Sequence, residues 1–263
     1  MNALFSATTT TEDVVEHEFA VGEVPGLLWS PPSPAERAPL VLMAHSGGLS
    51  KRSPGITARA RHYVTEYGFR VASIDAPGHG DRPRNHQDQQ WVADLMDARE
   101  NNEPIGPIIA EYNGSLAERA VPEWQATLDA LQALPEIGSG ASVGFGGMTL
   151  GTATGLMLLA AEPRVAAASL GGVFVYDALL EAATKVTAPV ELLLPWDDEE
   201  ITRQPGLELF DRVGSTSKML HAHPGRHNQV PWSEVDSSAR FFVRHLVDGD
   251  FRAAWPGTPT GDA

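Results

Sequence analysis

The 263-residue chain has no cysteine. Disulfides, thiolate nucleophiles and cysteine-ligated metals are therefore excluded. It is also short of positive charge: 19 Lys and Arg stand against 34 Asp and Glu, a net charge of −15. That balance argues against nucleic acid or an anionic membrane as a partner and suits a soluble protein. No stretch approaches the roughly 18 apolar residues of a membrane span. The opening residues, Met1-Asn2-Ala3-Leu4-Phe5-Ser6, lack the basic start and long apolar core of a secretory signal. A cytoplasmic protein is the expectation, with oligomeric state open.

What is present is a regular alternation. Hydrophobic residues make up 42% of the chain, enough for a sizeable core, and no linker interrupts it, so one α/β domain over 1–263 is expected. Residues 1–13 read as a loose polar arm and 248–263 as a mobile Gly/Pro-rich tail with Trp255 as its one anchor. Strand patterns cover 14–21, 24–29, 39–44, 69–74, 141–145, 165–170, 189–194 and 218–221. Helical patterns cover 54–67, 116–134, 152–162, 176–186, 206–213 and 233–246. Pro54 opens the first helix and Gly68 closes it. Strand, helix and strand in about 35 residues make a βαβ unit, hence a parallel sheet. Residues 83–118 break this rhythm. They read either as a lid-like insertion of short helices or as a long surface connection.

Five stretches carry chemistry. The first is Gly147-Met148-Thr149-Leu150-Gly151, a hydroxyl residue between glycines where a buried strand meets a helix. Glycines flank such a turn because side chains there would collide across it. The second is Trp196-Asp197-Asp198-Glu199-Glu200-Ile201, after another buried strand. Four acids in a row usually face water, but these lie between the elbow-like turn and a third stretch, Gly225-Arg226-His227. Acyl transfer needs a hydroxyl, a histidine to take its proton, and a carboxylate to orient that histidine. Thr149, His227 and Asp198 are the candidates, with Asp197 as the alternative acid and His223 the alternative base. The fourth stretch, His45-Ser46-Gly47-Gly48, offers Gly47, then Ser46, as one backbone donor to an oxyanion, and Leu150 as the other. The same glycines also suit a plain tight turn. The fifth, Asp75-Ala76-Pro77-Gly78-His79-Gly80, reads as structural, with His79 near the pocket.

In this order, hydroxyl, acid, histidine, the motifs resemble the α/β-hydrolases, and among them the dienelactone-hydrolase-like branch, over about residues 14–246. The resemblance implies the α/β-hydrolase fold: an eight-stranded, mostly parallel sheet with helices on both faces and a small lid insertion at 83–118. It implies hydrolysis of an ester, lactone or related acyl bond, with no cofactor and no metal. Three imidazoles within seven residues, His221, His223 and His227, could suggest zinc, but their spacing matches no ligand pattern and His227 has a better role.

The departure is Thr149, where the elbow pattern has serine. Its β-branched side chain fits a strained turn poorly and crowds a substrate. No serine lies between Ser142 and Ser169 to replace it. Three readings stay open. Thr149 is a hindered nucleophile; or His227 and Asp198 act as a general base, as in a lyase or cyclase; or the pocket only binds a ligand.

Overall fold

The computed structural model describes residues 2–35, 38–227 and 229–247. The Gly/Pro-rich tail and Trp255 lie outside them. One sheet of nine strands runs in the order β1-β2-β3-β5-β4-β6-β7-β8-β9. The strands are β1 Leu4–Thr10, β2 Val15–Val21, β3 Val24–Ser30, β4 Leu40–Ala44, β5 Arg70–Ile74, β6 Val143–Met148, β7 Val165–Gly171, β8 Val190–Pro195 and β9 Lys218–His223. The first three join antiparallel, and β3 runs antiparallel to β5. From β5 through β9 every pairing is parallel. All the carboxyl ends of β4 to β9 therefore open on one rim, where ligands bind in sheets of this kind.

The eight expected strands are β2 to β9, and β1 is an addition. Residues 4–10 form a strand rather than a loose arm. The reason is local: its threonines favour extended backbone, and Phe5 leans on Phe19 with ring centroids 6.2 Å apart. Every residue of β1 is exposed, so no inside-outside alternation marked it. Phe19 in turn lies over Gly26, where a Cβ would come within 2.2 Å of its ring.

Helices cover both faces. α1 (Pro54–Tyr67) and α7 (Trp232–Leu246) pack Tyr63, Val64, Phe242 and Leu246 on one side. α1 ends as expected, with Gly68 at φ 66° returning its N–H to Val64. On the other side lie α3 (Gly106–Gln132), α4 (Leu150–Ala161), α5 (Asp177–Lys185) and α6 (Arg203–Arg212). The core is therefore double, with one apolar layer on each face of the sheet.

The stretch 83–118 holds α2 (His86–Glu100) and the first half of α3. Asn85 caps α2 by accepting the Asp88 N–H at 2.7 Å. α3 begins about ten residues ahead of the expected helix and runs through Pro122. Its buried series, Tyr112, Leu116, Ala120, Trp124, Leu128 and Leu131, repeats at helical spacing and holds it to the sheet despite the breakers Gly114 and Pro122. Among the described residues no helix is long and apolar enough to cross a membrane.

Candidate active site

Thr149 is the single residue between β6 and α4, at φ 51° and ψ −109°. Among the described residues only Asn102 shares a positive φ without being glycine. A β-branched residue in that region carries strain of order 1–3 kcal/mol, which persists only when its surroundings hold it there. They do. The Thr149 N–H donates to the Gly171 carbonyl at 3.0 Å, and its own carbonyl accepts from Thr152 and Ala153. A Cβ on Gly147 would come within 2.6 Å of the Gly151 backbone, and one on Gly151 within 2.8 Å of the Ala44 carbonyl. Both glycines are therefore required by contact.

A buried hydroxyl completes the clamp. Thr152 Oγ1 accepts the Gly171 N–H at 2.8 Å and lies 2.7 Å from the Gly171 carbonyl and 3.0 Å from that of Gly147. It joins the strand leading into the turn to the neighbouring strand. Nothing in the sequence pattern distinguished Thr152 from an ordinary helix residue.

The acidic loop after β8 divides its labour. Asp198 Oδ2 lies 2.8 Å from His227 Nδ1, and its Oδ1 accepts the N–H groups of Glu200 and Ile201 at 2.9 and 3.0 Å. Ile201 is buried beneath the loop. Asp197 instead accepts the Gly225 N–H at 3.1 Å, tying the two loops together. Of the other histidines, His221 lies against Glu234, and the buried His223 turns Nδ1 to the Pro224 carbonyl. Among the described residues no three ligand-type side chains converge as a metal would need.

Thr149 and His227 are not in hydrogen-bond contact. Thr149 Oγ1 is buried and has no hydrogen-bond partner among the described residues. The histidine and the acid are thus brought together, and the hydroxyl is bonded to neither.

The turn after β4 reaches the same place. Ser46 Oγ donates to the Met148 carbonyl at 3.2 Å, so the turn is fastened to the residue ahead of Thr149. Gly47 and Gly48 are exposed, and nothing lies within 4 Å of a Cβ on Gly47. Leu150 is the first residue of α4, so its N–H has no partner within the helix. His45 props the turn from beneath. Its Nε2 accepts the Ala76 N–H at 3.0 Å, which leaves Nδ1 to donate to the Ser46 carbonyl at 2.8 Å. Burial pushes its pKa down to about 4. Lys51, which carried no recognisable signal, is buried with Nζ 2.6 Å from Asp75, in the stretch read as structural.

α2 and α3 lie over Leu150. Tyr112 and Leu116 pack on it, with Trp91, Val92 and Ala76 around them. Trp91 and Tyr112 stack at 5.3 Å. Phe174 and Tyr176 rest against α3 at Gly106 and Gly114, where a Cβ would be 3.8 and 3.6 Å away. Trp196 faces solvent beneath the Arg203 guanidinium.

No protein-family model matches the chain, and no curated protein matches it. Solved structures do. A cold-adapted esterase from an Arctic intertidal metagenomic library, in a PEG-bound complex, matches with a TM-score of 0.70 and 29% identity, covering 92% of this chain and 98% of that one. The chain has the α/β-hydrolase fold. A dienelactone hydrolase from Anabaena variabilis matches with a TM-score of 0.64 and 21% identity, over 89% of this chain and all of that one (100%). Acetyl xylan esterase 1 from Thermoanaerobacterium matches with a TM-score of 0.69 and 14% identity, over 94% and 88%. At these last two identities the likeness is one of fold alone. Within that fold, Thr149 occupies the strand-to-helix elbow.

Proposed function

We propose that this chain hydrolyses esters of small-molecule acyl groups through Thr149, His227 and Asp198. The observation that carries this reading is the His227–Asp198 pair, at 2.8 Å, on the same rim as a threonine held at φ 51°. The esterase that matches at 29% identity over nearly its whole length supports it.

In this reading Thr149 Oγ1 attacks the ester carbonyl carbon while His227 Nε2 takes its proton. The oxyanion is held by the N–H groups of Leu150 and Gly47, with Ser46 as the alternative to Gly47. The C–O bond to the alcohol then breaks, and the alcohol leaves with the proton from His227. Water, deprotonated by the same imidazole, releases the acid and restores Thr149. Asp198 keeps the imidazole in one tautomer throughout. The hydroxyl and imidazole approach each other when substrate enters, as catalytic hydrogen bonds commonly tighten only in the complex. The threonine methyl favours short or activated acyl groups. Residues 83–118 act as the lid that selects them, on a single domain spanning the chain.

A second reading has one observation in its favour, the unbonded Thr149 hydroxyl. In it, His227 and Asp198 activate water directly and Thr149 only lines the site.

The deciding experiment is hydrolysis of p-nitrophenyl acetate beside labelling with a fluorophosphonate, read by intact mass. A covalent adduct at Thr149, with turnover lost in His227→Ala and Thr149→Ala, supports the nucleophile. His227-dependent turnover that survives in Thr149→Ala supports the second reading. A broad ester panel with neither turnover nor adduct overturns both.

A further inference from the structure

Four rings stand in line between α2 and the turn after β4. Trp91 of α2 stacks on Tyr112 of α3 at 5.3 Å, with 28° between the planes. Tyr112 stacks on His79 at 6.3 Å, again at 28°. His79 meets His45 at 5.4 Å. Separations of this size are those of aromatic pairs in contact. Trp91 is half-buried, and the next three are exposed to only 7%, 4% and 2% going inward. The rings come from four separate elements, and none of them takes part in the steps of acyl transfer given above.

Tyr112 is the branch point of this series. It packs on Leu150, whose N–H is one oxyanion donor of the proposed reaction. Through His79 it backs His45, whose ring holds the other donor turn by the Ser46 carbonyl and the Ala76 N–H. His79 is fixed in its turn, with Nδ1 donating to the Pro77 carbonyl at 2.9 Å. One side chain therefore stands behind both halves of the oxyanion hole. The position of α2 is felt at the same point. α2 buries only Asp88 and Ala98 of its own, and it is held to α3 by the Asp88–Arg119 ion pair at 2.6 Å and by Trp91 on Tyr112.

We infer that Tyr112 is a positioning residue for the two oxyanion donors, and that α2 sets it in place through Trp91. The inference rests on the hydrolase reading. Packed interiors yield little to small displacements, so a ring filling the space between Leu150 and His79 fixes the separation of the donors. A misplacement of about 1 Å in such groups costs on the order of 10²-fold in rate. The loss falls on kcat, because the donors act on charge that develops only in the transition state.

The test is run on the full chain with p-nitrophenyl acetate, whose acetyl group asks little of the pocket walls. In Trp91→Ala kcat is expected to fall about tenfold, and in Tyr112→Ala about 10²-fold, with KM within about twofold of the wild type. Tyr112→Phe keeps the ring and recovers most of the rate. A residue that only shapes the pocket moves KM instead. The imidazole resonances of His79 and His45 are titrated by NMR in the same proteins. Both rings titrate low because burial disfavours their charged form. The charged groups facing them, Asp75, Lys51, Arg84 and Asp88, are untouched by these substitutions. Trp91→Ala and Tyr112→Ala admit water, so both midpoints rise, while Tyr112→Phe leaves them in place. A kcat unchanged in both alanine variants overturns the inference, as does an effect confined to KM. Midpoints that stay put overturn it too, and so does a Tyr112→Phe as slow as Tyr112→Ala. A wild type without His227-dependent turnover is a failure of the hydrolase reading instead, and the midpoints alone then decide whether the rings couple α2 to His45. If urea unfolding finds Tyr112→Ala unfolded, Trp91→Ala, at a half-buried position, carries the same test.

Discussion

His227 Nδ1 lies 2.8 Å from Asp198 Oδ2, and the two side chains are exposed to 25% and 1%. The acid is sealed and the base is reached from outside. Sealing matters because a carboxylate removed from water interacts more strongly with the group beside it. The two backbone N–H groups on the other oxygen keep it fixed there. Asp198→Asn retains the shape and removes the charge that orients the imidazole. Turnover of p-nitrophenyl acetate is expected to drop on the order of 10³-fold with little change in folding. Asp197→Asn, which loosens only the loop contact to Gly225, is expected to cost less than about tenfold. Steady-state kinetics of the pair decides which acid serves His227.

Thr149 sets strain against chemistry. Thr149→Gly relieves a positive φ at a β-branched residue and gives up a small buried side chain. The two effects are each about 1 kcal/mol and opposite in sign. Urea unfolding is expected to find this variant as stable as the wild type or more so, while the reaction assigned to the hydroxyl is lost. Thr149→Ser keeps the hydroxyl and removes the crowding methyl, so kcat toward short esters is expected to rise. A clear loss of stability in Thr149→Gly means the turn is not strained.

Much of this arrangement was legible because short motifs impose contacts that leave no freedom. The glycines around Thr149 are such a case, and the apolar Ile201 three residues beyond Asp198 is another. Of the eight expected strands, β4 to β8 were legible from apolar runs that are almost wholly buried, and β2 from its alternation. What escaped had no such signature. α2 buries only Asp88 and Ala98, so it has no apolar stripe to read. The front of α3 was hidden by Gly106, Pro107 and Gly114, residues that usually end helices. β1 is exposed at every position. The relation between Thr149 Oγ1 and His227 depends on a rotamer and on loop placement, which no spacing encodes.

Thr152 gives a third prediction. Thr152→Val preserves volume and deletes the hydroxyl that serves Gly147 and Gly171. A buried N–H and carbonyl are left without that partner, at about 1–3 kcal/mol. Since the Gly171 carbonyl also holds the Thr149 N–H, the loosened clamp is expected to lower kcat more than it raises KM. Thr152→Ser restores the hydroxyl and should recover most of both losses. Equal stability of Thr152→Val and wild type in urea removes the clamp from the account.

Acid stability follows from His45. Burial holds its folded pKa down at about 4, against 6.5 for a free imidazole. Between those values the unfolded chain takes up a proton that the folded chain refuses. The folded state is therefore fully favoured above about pH 6.5, and loses stability as the pH falls toward 4. Full expression of that difference amounts to about 3 kcal/mol. His79, whose ring lies 5.4 Å from His45, is also lowered by burial and acts with the same sign. Protonation would place a hydrogen on His45 Nε2 against the Ala76 N–H, so the turn carrying Ser46 and Gly47 would shift before the fold is lost. His45→Gln keeps an acceptor for Ala76 without a titrating group. Urea unfolding at about pH 7 and about pH 4.5 is expected to give a smaller loss in His45→Gln than in the wild type. An identical pH dependence in the two proteins assigns the acid sensitivity to other groups.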